Sequence, residues 1–307
     1  MEKPLISICI PTYNRADFLR ECLESIVTQF EDKALMNKVE VVILDNISQD
    51  KTSDVVGVFS DKYKNIRYCV DTEKRGIAGG QIKVGTLANG DYIWFFSDDD
   101  KHNTNSLSAV IGAIEKYKSD VIFCNTSTFI DDKIISTNNF GVNKNLFLKD
   151  KKDLFDFINN HYYCNDFFFT FLSDYIIKRD IFINGLFIIE KYNSPLDLYP
   201  FHLPIYYTNS DFSFVIIASP IVMYRGDNVS WGPSDKIKHE FFTEQLVINH
   251  YNNILTFNKQ YMSFGLVAKM KFYRIKRRII LKIISNRNNK IINNLYLLLR
   301  FCKKKLS

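Results

Sequence analysis

The sequence predicts an α/β fold in which a mainly parallel sheet is flanked by helices, followed by a basic helical extension. Three observations carry that expectation. Strand-length apolar runs recur without a polar alternate face, amphipathic helical stripes separate them, and polar clusters stand where the strands would end.

The first run is LISICI, residues 5–10, and VEVVIL follows at 39–44, NIRYCV at 65–70, DYIWFF at 91–96 and DVIFCN at 120–125. Runs apolar on both faces suit parallel strands covered on both sides. Between the first two lies NRADFLRECLESIVTQF, whose Phe18, Leu19, Cys22, Leu23, Ile26, Val27 and Phe30 recur at helical spacing. NSLSAVIGAIEKY, residues 105–117, repeats that pattern. Alternation of strand and helix over about 125 residues implies a doubly wound sheet with right-handed crossovers. Residues 126–230 are less periodic and carry the aromatic run FFFTF and a proline-punctuated stretch, NSPLDLYPFHLP. The expected division is a body over 1–232, with a strand-and-helix half to 125 and a less periodic half from 126, and a tail over 233–307.

Composition narrows the class. At 307 residues, with 46% hydrophobic and 15% aromatic residues, the chain can bury a full core. Six scattered cysteines form no C-x-x-C pair. With no secretory leader ahead of them, the expectation is a reducing cytoplasm and buried thiols. No uncharged apolar run reaches the roughly 18 residues a membrane span needs; FSFVIIASPIVM is too short and holds Pro220. The first turn has no G-x-G-x-x-G, which disfavours a dinucleotide oxidoreductase.

Charge is divided along the chain. Of 40 Lys and Arg residues, fourteen follow Glu244, where no acid occurs; 26 bases against 34 acids leave residues 1–244 at a net −8. The fourteen cations alternate with Phe272, Tyr273, Ile275, Ile279, Ile280 and Leu281. Amphipathic helices of this kind lie on anionic membrane surfaces, here through residues 259–305. The alternative is a helical pair packed back on the body. Nucleic acid is disfavoured as a partner, because the acidic body repels phosphate and no nucleic-acid module is recognisable.

In a doubly wound sheet ligands collect at the carboxyl ends of strands. Those ends hold PTYNR (11–15), DNISQD (45–50), DTEKRGIAGG (71–80) and SDDD (97–100). Three adjacent carboxylates at the end of a buried strand repel one another and need compensation. A divalent Mg²⁺ or Mn²⁺ supplies it, taking one or two carboxylates and filling its remaining positions with phosphate oxygens and water. Such an ion also stabilises a departing nucleoside diphosphate. The competing reading is that Asp98, Asp99 and Asp100 cap the helix beginning near Asn105.

ISICIPTYNRADFLRECLESI, VEVVILDNISQDKT and ANGDYIWFFSDDD, in this order and spacing, resemble the family 2 glycosyltransferases of the GT-A fold. WFFSDDD and the later YRGDNVSW look most like the abequosyltransferase-type branch, which adds sugars to bacterial surface-polysaccharide precursors. The resemblance is strong over 5–125, weaker to 231 and absent in the tail. It implies a transfer from a UDP, CDP, GDP or dTDP sugar to a glycan acceptor, in lipid-linked form on the cytoplasmic face of the membrane, with Mn²⁺ or Mg²⁺ as cofactor.

Carried onto this chain, the resemblance assigns Pro11, Thr12, Tyr13 and Asn14 to the nucleoside pocket with Asp45, Asn46 and Arg75. The family commonly has a second acid where Asn46 stands, so uracil, cytosine and thymine all stay open. Ser97 takes the first place of the usual D-x-D-D (DXD-type) motif. Asp99 then becomes the metal ligand, and Asp98 contacts the ribose or the metal. Strand alternation separately allows Asp98 and Asp100 to face the same way if the extended conformation continues. An inverting transfer needs a base for the acceptor hydroxyl; Asp197 matches it best, with Glu190 and His202 in reserve. Arg225 and Trp231 belong to a loop that closes over the diphosphate. The alternative function is a catalytically silent GT-A-like protein that binds nucleotide sugar or scaffolds a membrane assembly. Nucleotidyl transfer fits poorly, because PTYNR is not a basic glycine-rich loop.

Overall fold

A computed structural model describes residues 3–161, 171–192, 200–226, 254–256, 258–262 and 267. The chain divides into two compact units, Met1–Asn228 and Val229–Ser307. The first unit is built on one ten-stranded sheet in the order β3-β2-β1-β4-β9-β6-β10-β5, with β7 beside β6 and β8 beside β10. Its strands are β1 Ile6–Thr12, β2 Val39–Asp45, β3 Ile66–Val70, β4 Tyr92–Phe95, β5 Lys101–His102, β6 Val121–Ile130, β7 Lys133–Ser136, β8 Leu146–Leu148, β9 Tyr175–Lys178 and β10 Phe214–Arg225. The five apolar runs of the sequence are β1, β2, β3, β4 and β6. The longer helices are α1 Ala16–Val27, α3 Thr52–Lys62, α4 Gly76–Thr86, α5 Ser106–Tyr117 and α6 Lys151–Asn160, with short α2 Lys33–Met36, α7 Arg179–Asn184, α8 Leu186–Tyr192 and α9 Leu203–Tyr206.

β3, β2, β1 and β4 run parallel; β1, β2 and β4 are buried almost throughout, as strands without a polar face require, and β3 is the partly covered edge strand. β9 then enters antiparallel to both β4 and β6. β1 leads to β2 on one side and pairs with β4 on the other, so the crevice between the ends of β1 and β4 is the switch point where α/β sheets bind ligands. Leu19, Cys22, Leu23, Ile26 and Phe30 are buried against the sheet, which confirms the helical stripe of α1 and its following turn. Phe18 lies off that stripe and instead lies under guanidinium groups described below. Cys9, Cys22 and Cys124 are buried free thiols, and Cys69 is half-buried.

Two polar residues inside the parallel strands have a structural account. Ser7 and Glu40 are register partners on β1 and β2 and both are buried. Glu40 accepts hydrogen bonds from Ser7 Oγ (2.5 Å), Asn89 N (2.6 Å) and Arg67 Nη1 (3.0 Å), so its charge is compensated in place. Gly90 N donates to Ser7 Oγ (2.8 Å), and a Cβ at Gly90 would stand 2.7 Å from Ser7 N. Only glycine lets the turn before β4 pass that close to β1.

Pro220, which argued against a span at residues 212–223, sits in β10 where the register with β6 slips between Ile217 and Val222. A proline cannot donate to the ladder, and the slip is where its missing N–H is tolerated. Among the described residues no helix is long and apolar enough to cross a membrane.

Candidate active site

β4 ends at Phe95, and the chain turns at once: Asp100 N donates to Ser97 O (3.4 Å), and Asp98 and Asp99 occupy the corner. The extended conformation therefore stops before the triplet. Asp98 and Asp99 share Arg15 as a partner, while Asp100 turns to Ser173 and Arg225. Nor do they cap α5, since β5 and Asn105 intervene before it starts at Ser106. His102, just beyond the turn, anchors it. Its ring stacks on Phe96 (4.3 Å between centroids) beside Trp94 (4.5 Å), and its Nδ1 meets Ser106 Oγ at 2.7 Å. Burial lowers its pKa to about 3, so the ring is a neutral wedge.

Asp98 is 2% exposed and joins the two sides of the switch point: Thr12 Oγ1 at the end of β1 donates to its Oδ2 (2.7 Å). Arg15 spans the neighbouring carboxylates, with Nη1 on Asp98 Oδ1 at 2.5 Å and Nη2 on Asp99 Oδ2 at 3.1 Å. Ser97 Oγ donates to Asp99 Oδ1. Burial pushes Asp98 up to about 6 against the pull of Arg15, and Asp99 adds to the rise. Asp100 faces away from that pair and accepts from Ser173 Oγ (2.6 Å) and Arg225 N (3.0 Å). Burial pushes it well above the ordinary carboxylate range, Asp99 adding to the effect. Asp99, at 9%, is the most exposed of the three.

The neighbouring loops are stapled together. Asn14 and Ile47 both have left-handed backbone (φ 52° and 65°), Asn14 N donates to Ser48 Oγ (2.8 Å) and Gln49 N to Asn14 Oδ1 (2.7 Å). Asp45 is buried and braces its own loop, accepting from Ser48 N (2.8 Å) and Tyr68 OH (2.5 Å). Asn46 accepts from Arg75 N through Oδ1 (3.0 Å), linking the β2 end to the start of α4. Arg75 pairs with Asp71 (2.8 Å) and Glu73 (2.8 Å). Tyr13 is exposed, with Lys74 Nζ over its ring at 5.3 Å, and Pro11 packs 3.7 Å from where a Cβ on Gly80 would be. Thr12, Tyr13, Asn14, Asp45, Asn46, Arg75, Asp98 and Asp99 thus come from four strand ends that meet at one crevice.

Arg225 is the last residue of β10 rather than part of a loop, and it is buried. Its Nε donates to Asp99 O (3.0 Å) and its Nη2 to Glu21 (2.5 Å), while its guanidinium lies between the rings of Phe18 (5.0 Å) and Phe129 (4.6 Å). Lys101 also pairs with Glu21 (2.7 Å). Sequence reasoning missed Arg15, Glu21 and Ser173. For Arg15 the signal was present as the cation closing PTYNR, one turn from a strand end that the fold sets beside the triplet.

Glu190 lies on the exposed face of α8. His202 is fully buried against Phe201 (4.3 Å), Tyr175 (4.4 Å) and Tyr206 (5.7 Å). Asp197 and Trp231 lie outside the described residues, as does the tail expected to meet membrane over 259–305, apart from 259–262 and 267.

Mg²⁺ or Mn²⁺ fits this donor set. Asp98 Oδ1 and Asp99 Oδ2 already converge on one cation, the Arg15 guanidinium. Among the described residues no group of three or more His, Cys, Asp or Glu side chains is arranged to hold a metal. An ion that completes its shell with phosphate and water needs only one or two.

Among the described residues, one buried carboxyl near this site has no hydrogen-bond partner. Asp174 is fully buried, neither oxygen accepts a hydrogen bond, and burial raises its pKa well above the usual range, with Asp100 adding to the effect. The folded chain therefore keeps a proton that the unfolded chain releases near pH 3.9. Stability then falls as pH rises above about 4, because the folded state binds more protons there. Asp174→Asn removes the share of that dependence carried by Asp174 and leaves that of Asp98 and Asp100. Thermal midpoints measured from pH 4.5 to 8 are expected to favour the variant by a few degrees at pH 8 and much less at pH 4.5; a pH-independent difference would refute this.

The Glycosyl transferase family 2 model matches residues 7–176. Abequosyltransferase RfbV of Salmonella typhimurium is 28% identical over 243 residues, covering 76% of this chain and 70% of that one. The poly(ribitol-phosphate) beta-glucosyltransferase of Bacillus spizizenii is 29% identical over 150 residues, 48% of this chain but 22% of its own length. Among solved structures, S. aureus TarS 1–349 in complex with UDP-GlcNAc aligns at TM-score 0.59 with 17% identity, covering 92% of this chain and 72% of that one. The mannosyltransferase PcManGT of Pyrobaculum calidifontis, in complex with GDP-Man and Mn²⁺, aligns at 0.58 with 14% identity over 100% and 82%.

Proposed function

The chain belongs to glycosyl transferase family 2 and has the GT-A fold of these enzymes, and from that premise we propose that it moves a sugar from a nucleoside-diphosphate donor to a lipid-linked glycan of a bacterial surface polysaccharide. One observation carries the donor half of this reading: the Thr12 to Asp98 hydrogen bond, which closes the switch point and sets an acidic corner beside loops of nucleoside-pocket type. Thr12, Tyr13, Asn46 and Arg75 border the nucleoside, and Asp45 braces their loop. Asp99 and Asp98 would hold Mn²⁺ or Mg²⁺, whose charge stabilises the leaving diphosphate. Asp98 is held in place by Thr12 and by the charge of Arg15 before donor enters. Asp197 takes the acceptor proton, and the basic tail holds the enzyme at the inner face of the cytoplasmic membrane, near a lipid-linked acceptor. The acceptor reading draws support from RfbV, the most extensive of the curated relatives named above.

The donor reading is tested by thermal shift and calorimetry of the full chain with UDP, CDP, GDP and dTDP, each with and without Mn²⁺. One nucleotide is expected to raise the midpoint by several degrees and to bind at least about tenfold tighter with metal, a difference of about 1.4 kcal/mol. No binding by any of the four would end the reading. Tight binding without turnover of a matched sugar donor and glycan would instead favour a silent nucleotide-sugar-binding protein.

A further inference from the structure

We propose that Arg15 is an internal cation that holds the metal seat closed in the donor-free protein and yields it when the divalent ion and the donor diphosphate arrive together. This rests on the reading of Asp98 and Asp99 as metal ligands.

The geometry makes the two cations competitors. Arg15 spans Asp98 Oδ1 and Asp99 Oδ2 with the two ends of one guanidinium fork. The remaining oxygens of the pair, Asp98 Oδ2 and Asp99 Oδ1, accept from Thr12 Oγ1 and Ser97 Oγ. Every oxygen of both carboxylates is therefore engaged, and a dication reaching them must displace a donor. Thr12 and Ser97 are short side chains fixed by β1 and by the turn itself. Arg15 is long, and its side chain retains 16% exposure.

Its backbone does not have to move. Arg15 stands at the N-terminus of α1, and Asp50 caps that helix from a different loop by accepting from Ala16 N (3.0 Å). The side chain can leave the acids while the helix stays in place. Phe18 offers its ring face 5.4 Å from the guanidinium, a second surface along the same path.

Charge gives the exchange a direction. Two carboxylates and one guanidinium sum to −1, which suits neither a bare dication in competition with Arg15 nor a diphosphate. With the dication on the acids and Arg15 released, the corner gains two positive charges, and the released fork matches phosphate oxygens bidentately. Metal and nucleotide should therefore bind weakly alone and strongly together, a coupling that works equally in both directions.

The test is Mn²⁺ binding to the full chain, read by electron paramagnetic resonance as loss of the free-ion signal, with and without the nucleoside diphosphate that binds best. In Arg15→Gln, Mn²⁺ alone is expected to bind at least about tenfold tighter than in the unaltered chain, because a full positive charge a few ångströms from the seat is gone. The tightening of Mn²⁺ by nucleotide should shrink by a similar factor. Arg15→Lys keeps the charge but cannot span both carboxylates, and it is expected to fall between the two. Unchanged or weaker Mn²⁺ binding in Arg15→Gln, with an unaltered thermal midpoint, overturns the proposal. If Arg15→Gln does not fold, absence of any gain in Arg15→Lys overturns it. The donor reading fails separately, when the unaltered chain binds none of the nucleotides.

Discussion

Asp99→Ala is expected to lower sugar transfer at least about 10³-fold while leaving the fold intact, the scale seen when one preorganised electrostatic partner of a transition state is removed. Asp99 is the outermost carboxylate of the acid turn, and the turn does not depend on its side chain. The main-chain oxygen of Asp99 still accepts from Arg225 Nε, Asp100 still accepts from Ser173 and from Arg225 N, and Arg15 keeps Asp98. Asp98→Ala is a less clean test, because it also removes the Thr12 bond that joins β1 to β4. Asp99→Asn keeps the shape and loses the charge, so it is expected to be nearly as inactive if the carboxylate binds metal, and mildly affected if it only accepts the Ser97 hydrogen bond. Transfer and donor hydrolysis followed by mass spectrometry, with thermal midpoints and Mn²⁺ affinity on the same preparations, separate these cases. Turnover within tenfold of the unaltered chain, with Mn²⁺ affinity unmoved, would remove Asp99 from the chemistry.

The part of this architecture legible in the sequence is the part set by local pattern. β1, β2 and β4 coincide with apolar runs to within two residues at their ends, since a strand buried on both faces has to be apolar along its length; β3 and the start of β6 were legible from the same kind of run, although β3 is only partly covered and β6 continues five residues further. The α1 stripe was legible for the same reason. Periodicity does not encode pairing between distant segments, and there the reading stopped. β9 contributes only YIIK, too short to register as a run, yet it turns a parallel sheet into a mixed one. The compensation of the triplet was expected from a metal, whereas the fold already supplies Arg15 across 83 residues and Ser173 across 73. Ser and Asp do favour turns, but three adjacent acids read equally well as metal ligands or a helix cap, and that left the corner at Asp98 and Asp99 unread; His102, packed against Phe96, Trp94 and Ser106, holds the chain just beyond it.

Arg225→Met should have the second largest effect, and should act through the acid turn without contact with the donor. The residue reaches the turn from β10 in two ways. Its N–H holds Asp100, which any residue preserves, and its guanidinium holds the carbonyl of Asp99, which only a fork at this position can do. The same guanidinium satisfies Glu21, whose partial burial would raise its pKa but whose hydrogen bonds from Lys101 and Arg225 hold it below the usual value. Methionine retains the stem between Phe18 and Phe129, so the packing loss is small. What is lost is one charge-assisted bond to Glu21 and one to Asp99 O, on the order of 2–3 kcal/mol of stability together. The functional consequence is a turn no longer held from below: transfer is expected to fall about 10- to 100-fold, mainly in kcat, with the nucleotide tightening Mn²⁺ less than before. Arg225→Lys is expected not to restore it, because an ammonium cannot reach Asp99 O and Glu21 together while stacked between two rings. A purely structural role would lower the thermal midpoint and leave the coupling of metal to nucleotide untouched, and full recovery of kcat by lysine would point the same way.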